Sequence, residues 1–79
     1  MSQNTLDLRG LCCPMPVLRT KKVLAKMQPE EVLVVKTDDP HAVADIALFI
    51  EQSGHVLKSQ LADPTTDGVT VHTIERRKE

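Results

Sequence analysis

Apolar and polar positions along the chain switch between a period of two and a period near three and a half. The switches mark out six elements. Thr5-Leu6-Asp7-Leu8 alternates, which predicts a short strand with Leu6 and Leu8 inward. From Pro14 to about Met27 the spacing becomes helical. At roughly 100° per residue, Pro16, Val17, Thr20, Val23, Leu24 and Met27 fall on the core side. Met15, Arg19, Lys22 and Lys26 take the opposite side, with Leu18 and Ala25 beside them. Glu31 to Thr37 is a nearly continuous apolar run, suited to a central strand. A second helix is expected from Pro40 to about Ser53, capped by Asp39 and stopped by Gly54. It turns Val43, Ile46, Ala47 and Ile50 inward and leaves Phe49 on the edge. His55 to Leu61 and Val69 to Ile74 read as strands, with a polar turn between them that predicts an antiparallel hairpin.

The order β-α-β-α-β-β predicts an α/β (α+β) fold forming one domain over residues 1–79. It is a two-layer sandwich in which a four-stranded mixed sheet carries both helices on one face. At 41% hydrophobic and 27% charged residues the composition is that of an ordinary globular chain. Phe49 is the single aromatic, so the core must be aliphatic. A net charge of −1 makes no global electrostatic case for nucleic acid and argues against its direct binding. The local charge is less even, with Arg9, Arg19, Lys21, Lys22 and Lys26 gathered around the first helix. That face is either simply solvated or a docking surface for an acidic partner.

No apolar run approaches the ~20 residues that span a bilayer, and Met1-Ser2-Gln3-Asn4 lacks the apolar core of a signal peptide. The expected setting is cytoplasmic, with no membrane partner. In a reducing compartment two cysteines are reactive or buried thiols rather than a structural bridge, and adjacent cysteines would close a strained ring. There is no C-x-x-C pair and no H-x-x-x-H spacing, so no metal or cofactor is expected. His41, His55 and His72 all lie far from the cysteines in sequence, so spacing supports no Cys–His nucleophilic pair.

The chemistry therefore concentrates in Gly10-Leu11-Cys12-Cys13-Pro14-Met15-Pro16. With Pro14 at the first helical position, Cys13 becomes the N-cap and its sulfur sits at the positive end of the helix. Pro14 and Pro16 lack N–H groups, which leaves Met15 as the one free donor among the first three helical residues. That donor is aimed at the cap side chain. The thiolate of Cys13 is then expected to form below the ~8.5 of a free cysteine. Cys12 lies outside the helix, as a neighbour or a resolving thiol. One activated cysteine with no base, metal or pocket suits a protein that carries a group on sulfur, such as a persulfide, and hands it over.

The segment Leu6-Asp7-Leu8-Arg9-Gly10-Leu11-Cys12-Cys13-Pro14-Met15-Pro16-Val17-Leu18 resembles the N-terminal signature of the TusA/SirA-like sulfur carrier proteins, with its Cys-Pro-x-Pro core. The likeness continues through Thr37-Asp38-Asp39-Pro40, Asp45-Ile46 and Gly54-His55. It implies the same two-layer fold and a carrier that accepts sulfur as a persulfide on Cys13. The donor would be a protein such as a cysteine desulfurase or rhodanese, and a downstream acceptor protein would receive the sulfur. Such carriers serve tRNA thiolation, cofactor biosynthesis or sulfur oxidation, as relays rather than stand-alone catalysts. Cys12 departs from the pattern, since relatives commonly have Arg, Asn or Lys there.

On this reading Met15, Leu18, Arg19 and Lys22 shape the partner surface. Pro14 and Pro16 support the helix start, and Cys12 is a candidate second thiol. The alternative is a small RNA- or protein-binding regulatory module that uses the basic helix face and no sulfur chemistry. The resemblance also implies a fold similar to the C-terminal domain of a bacterial translation initiation factor, which keeps the RNA-binding alternative open.

Overall fold

The computed structural model describes residues 3–78. Its elements are β1 (Gln3–Asp7), α1 (Met15–Ala25), β2 (Val32–Thr37), α2 (Pro40–Ser53), β3 (Val56–Ala62) and β4 (Thr70–Glu75). The sheet order is β1-β2-β4-β3. β1 runs parallel to β2, β4 lies antiparallel to both β2 and β3, and a register shift falls between Leu57 and Ser59. This is the expected two-layer mixed-sheet arrangement. The apolar run of β2 takes an interior position, with Leu33, Val35 and Thr37 buried and the intervening residues half-buried.

The core joins one face of the sheet to the inner sides of both helices. Leu33, Val35 and Ile74 from the strands meet Leu24 of α1 and Ile46 and Ile50 of α2 in a single cluster. Burying each of these side chains contributes about 1.5–3 kcal/mol. Of the core side predicted for the first helix, Pro16, Thr20, Leu24 and Met27 are buried, and Val17 and Val23 are partly so. The α1 helix is shorter than expected and stops at Ala25. There the Lys26 and Met27 N–H groups donate to the Val23 and Leu24 carbonyls (3.0 and 3.1 Å), tightening the last turn. Met27 keeps its core place from beyond the helix. The α2 helix has the expected bounds. Asp39 accepts from the His41 N–H at 3.1 Å, and Gly54 closes the helix at φ 86°, where a side chain would be strained. Ala42 adds a buried contact to the predicted inner face.

One polar chain crosses this core. The Gln60 Nε2 group donates to the Val43 carbonyl (2.8 Å) and to His72 Nδ1 (3.0 Å). With Nδ1 accepting, the imidazole carries its proton on Nε2 and donates to Thr37 Oγ1 at 2.8 Å. Burial pushes the His72 pKa down to about 4. Because the folded value lies below the ~6.5 of an unfolded histidine, the native state binds fewer protons between the two. Stability is complete above about pH 6.5 and is lost as pH falls toward 4, by up to about 3 kcal/mol. Urea unfolding across that range should show the fall, and NMR titration should place the His72 midpoint near 4. A midpoint near the ordinary histidine value would contradict this account.

Candidate functional site

The cysteine loop follows β1 and is tied down by the start of α2. Gly10, at φ 88°, donates its N–H to both carboxylate oxygens of Asp38 (2.9 and 3.0 Å). The Cys13 N–H donates to Asp39 Oδ2 at 3.0 Å, while Oδ1 of the same carboxylate caps α2. Within the loop, the Met15 N–H donates to the Cys12 carbonyl at 2.9 Å. The Cys13–Pro14 peptide is cis, with Pro14 third in that turn. Both cysteines are free and exposed.

This geometry corrects the expected helix start. Pro14 is the N-cap and Met15 the first helical residue, so Cys13 stands one position outside. Pro16 is buried in the first turn, where its carbonyl accepts the Thr20 hydroxyl at 2.8 Å. No side chain caps α1. The Met15 N–H, expected to face the thiol, is taken by the Cys12 carbonyl.

The expected direction of the thiol pKa is overturned as well. The Cys13 thiol is raised above its ordinary value, chiefly because it donates a hydrogen bond to the Asp45 carboxylate. Partial desolvation adds to the rise, as do the negative charges of Asp45 and Asp39 and the neighbouring Cys12. The helix end is thus outweighed by carboxylates delivered from α2. At so exposed a sulfur, solvent screens these charges and softens the effect.

Cys13 lies at the edge of an open groove between the two helices, lined also by Pro14, Val17, Leu18, Lys21, Asp45, Leu48, Phe49 and Gln52. Leu18 and Leu48 are each about half exposed, at 51% and 53%, and give the groove an apolar lip. Met15, Leu18, Arg19 and Lys22 lie together around a separate hollow shared with Leu6, Val23 and Lys26. Leu18 borders both. Cys12 lines neither of the two. Arg9 leaves the basic group, since its guanidinium pairs with Asp7 at 2.6 Å.

Sequence reasoning missed Asp38 as a loop anchor, the second task of Asp39, and Asp45 as the thiol's partner. The available signal was the Asp38-Asp39 pair itself, because one carboxylate is enough to cap a helix.

A cysteine presented on a tethered loop above an interhelical groove, on a two-layer sandwich, defines a small thiol-bearing α/β module. The model of the sulfurtransferase TusA family matches residues 4–76, and the chain belongs to that family. Two proposed sulfur carriers, from Neisseria meningitidis serogroups A and B, are each 43% identical over 77 residues, covering 98% of this chain and all of the relative. A proposed sulfur carrier of Aquifex aeolicus is 40% identical over 96% of this chain and 37% of its own length. Among solved structures, a SirA-like protein from Desulfitobacterium hafniense superposes with a TM-score of 0.82 at 28% identity, covering 98% of this chain and all of its own.

If Asp45 is what raises the thiol, Asp45→Asn should bring the Cys13 pKa down toward the ~8.5 of a free cysteine. Alkylation rate against pH, measured in a Cys12→Ser background so that one thiol reports, reads the change. An unmoved midpoint would remove Asp45 from the explanation.

Proposed function

We propose that the protein is a sulfur carrier that takes sulfane sulfur as a persulfide on Cys13 and passes it to an acceptor protein. The observation that carries this reading is the exposed Cys13 thiol at the lip of an open groove, its backbone held by Asp39 and the Asp45 carboxylate lining the same groove. In loading, Cys13 ionises and its thiolate attacks the outer sulfur of a donor persulfide, while the proton it loses passes through solvent to the departing donor sulfur. The S–S bond of the donor breaks, the donor leaves as thiolate, and Cys13 becomes Cys–S–SH. No net oxidation occurs. In unloading, an acceptor thiolate attacks the outer sulfur and Cys13 leaves as thiolate. A thiol of raised pKa is the stronger nucleophile once ionised and the poorer leaving group, so sulfur stays on Cys13 until a partner activates its departure.

A cysteine desulfurase or a rhodanese fits the donor role, and the family membership and relatives' names support the carrier reading. Two free thiols suit a reducing, cytoplasmic setting. The partner surface is the apolar lip at Leu18 together with the basic hollow of Met15, Arg19 and Lys22.

Incubation with a desulfurase and cysteine, followed by intact mass measurement, should show the gain of one sulfur. The gain should vanish in Cys13→Ser and persist in Cys12→Ser; loading that survives Cys13→Ser would overturn the assignment. A second measurement addresses the surface. Reversing charge in Arg19→Glu/Lys22→Glu should slow loading by about tenfold and flatten its salt dependence, as expected for a rim of steering charges. Thermal stability should stay within about 0.5 kcal/mol of the parent, because both residues are exposed. Unchanged loading would move the docking surface elsewhere.

A further inference from the structure

A second hollow beside the Cys13 groove gathers cations. Lys21 and Ala25 of α1, Phe49 and Ser53 of α2, His55 before β3, and Arg76 and Arg77 after β4 line an open hollow of about 250 Å³. Among the described residues no carboxylate lines it. The chain has 11 acidic residues for 10 lysines and arginines, so acids were available to pair. Arg9, Lys36, His41, Lys58 and Lys78 each have a carboxylate within 4 Å, whereas Lys21, Arg76 and Arg77 have none among the described residues.

Backbone carbonyls hold the two guanidinium groups in place. Arg76 Nε donates to the Leu24 carbonyl (3.0 Å) and its Nη1 to the Arg77 carbonyl (3.3 Å). Arg77 Nη1 donates to the carbonyl of Ser53, the last residue of α2. Cations at the negative ends of two helices have a structural use of their own. That use leaves donors over: of five N–H groups on each guanidinium, Arg76 engages two and Arg77 one. The Arg77 N–H also donates to His55 Nδ1 (3.0 Å), which puts the proton of the neutral imidazole on Nε2 as a further donor. The Phe49 ring, 6.2 Å from that of His55, supplies an apolar wall.

We infer that this hollow binds a tetrahedral oxyanion, the chemistry shared by phosphate monoesters and thiosulfate, through Lys21, His55, Arg76 and Arg77. Planar guanidinium forks and a point ammonium charge suit such a group. Burial, then the charges of Arg77 and Arg76, hold the His55 pKa down, a like-charge crowding that a bound dianion relieves. Lys21 and Phe49 also line the Cys13 groove, so the anion would sit in a hollow adjoining it. The inference is independent of the carrier reading and can stand or fall without it.

The test is titration of the full chain with inorganic phosphate, thiosulfate and adenosine 5′-monophosphate, followed by amide NMR at ionic strength held constant with chloride. Saturable shifts at Lys21, Ser53, His55 and Arg77 are expected. Lys21→Gln and Arg77→Gln should each weaken binding about tenfold, the loss of one charge-assisted hydrogen bond. Tighter binding of the nucleotide than of phosphate assigns a phosphate monoester, and tightest binding of thiosulfate assigns that anion. Arg77→Gln also removes the bond to Ser53; if it loosens the helix end, Lys21→Gln decides. No saturable shift with any of the three anions, or unchanged affinity in Lys21→Gln, would overturn the site.

Discussion

The carboxylate of Asp39 joins the two halves of the candidate site. One oxygen accepts the His41 N–H and starts α2; the other accepts the Cys13 N–H and fixes the cysteine loop. These same bonds, that from His41 first and that from Cys13 next, hold the Asp39 carboxyl below the usual carboxylate range, so it is ionised at neutral pH. A hydrogen bond to an ionised acceptor is stronger than one between neutral groups, and this one fixes the backbone of the exposed Cys13. Asp38 acts alongside it on Gly10. Because the loop is tied to the first turn of α2, the next turns of that helix are brought over Cys13, and Asp45 arrives at the thiol.

That tether decides the electrostatics of the sulfur. A helix N-terminus alone would favour a thiolate. Here the helix lacks a side-chain cap and its first free N–H is used within the loop, while carboxylates come in from the other helix. The outcome is a thiol held neutral in the resting protein. Such a thiol is a poorer leaving group than a free one, because leaving ability falls as thiol pKa rises.

The elements were legible because their periods are clean. The strands alternate or run apolar, and α2 announces both ends through Asp39-Pro40 and Gly54. The first helix was legible in phase but not at its ends. Its start lies one residue later than Pro14 at the first helical position would allow, since the Cys12 carbonyl takes the donor that local reasoning gave to the thiol. The sign of the thiol shift was illegible for a different reason. It depends on Asp39, 26 residues away from Cys13, and on Asp45 beyond it, and no local pattern shows which face of α2 meets the loop. Likewise Lys21, His55 and the Arg76-Arg77 pair come from three separated parts of the chain, and only the fold places them around one hollow.

The two cysteines, indistinguishable by composition, are separated by what the fold asks of each. At Cys13 both the backbone and the side chain are engaged: the N–H meets Asp39, and the sulfur meets Asp45 at the groove. At Cys12 the carbonyl closes the turn onto Met15, a task that any residue performs, and the exposed side chain lines neither groove beside the loop. The fold therefore constrains the backbone of Cys12 and leaves its side chain unconstrained. Placement alone thus sets Cys13 apart from Cys12, because only Cys13 has both its N–H and its groove position fixed by residues of the second helix entry.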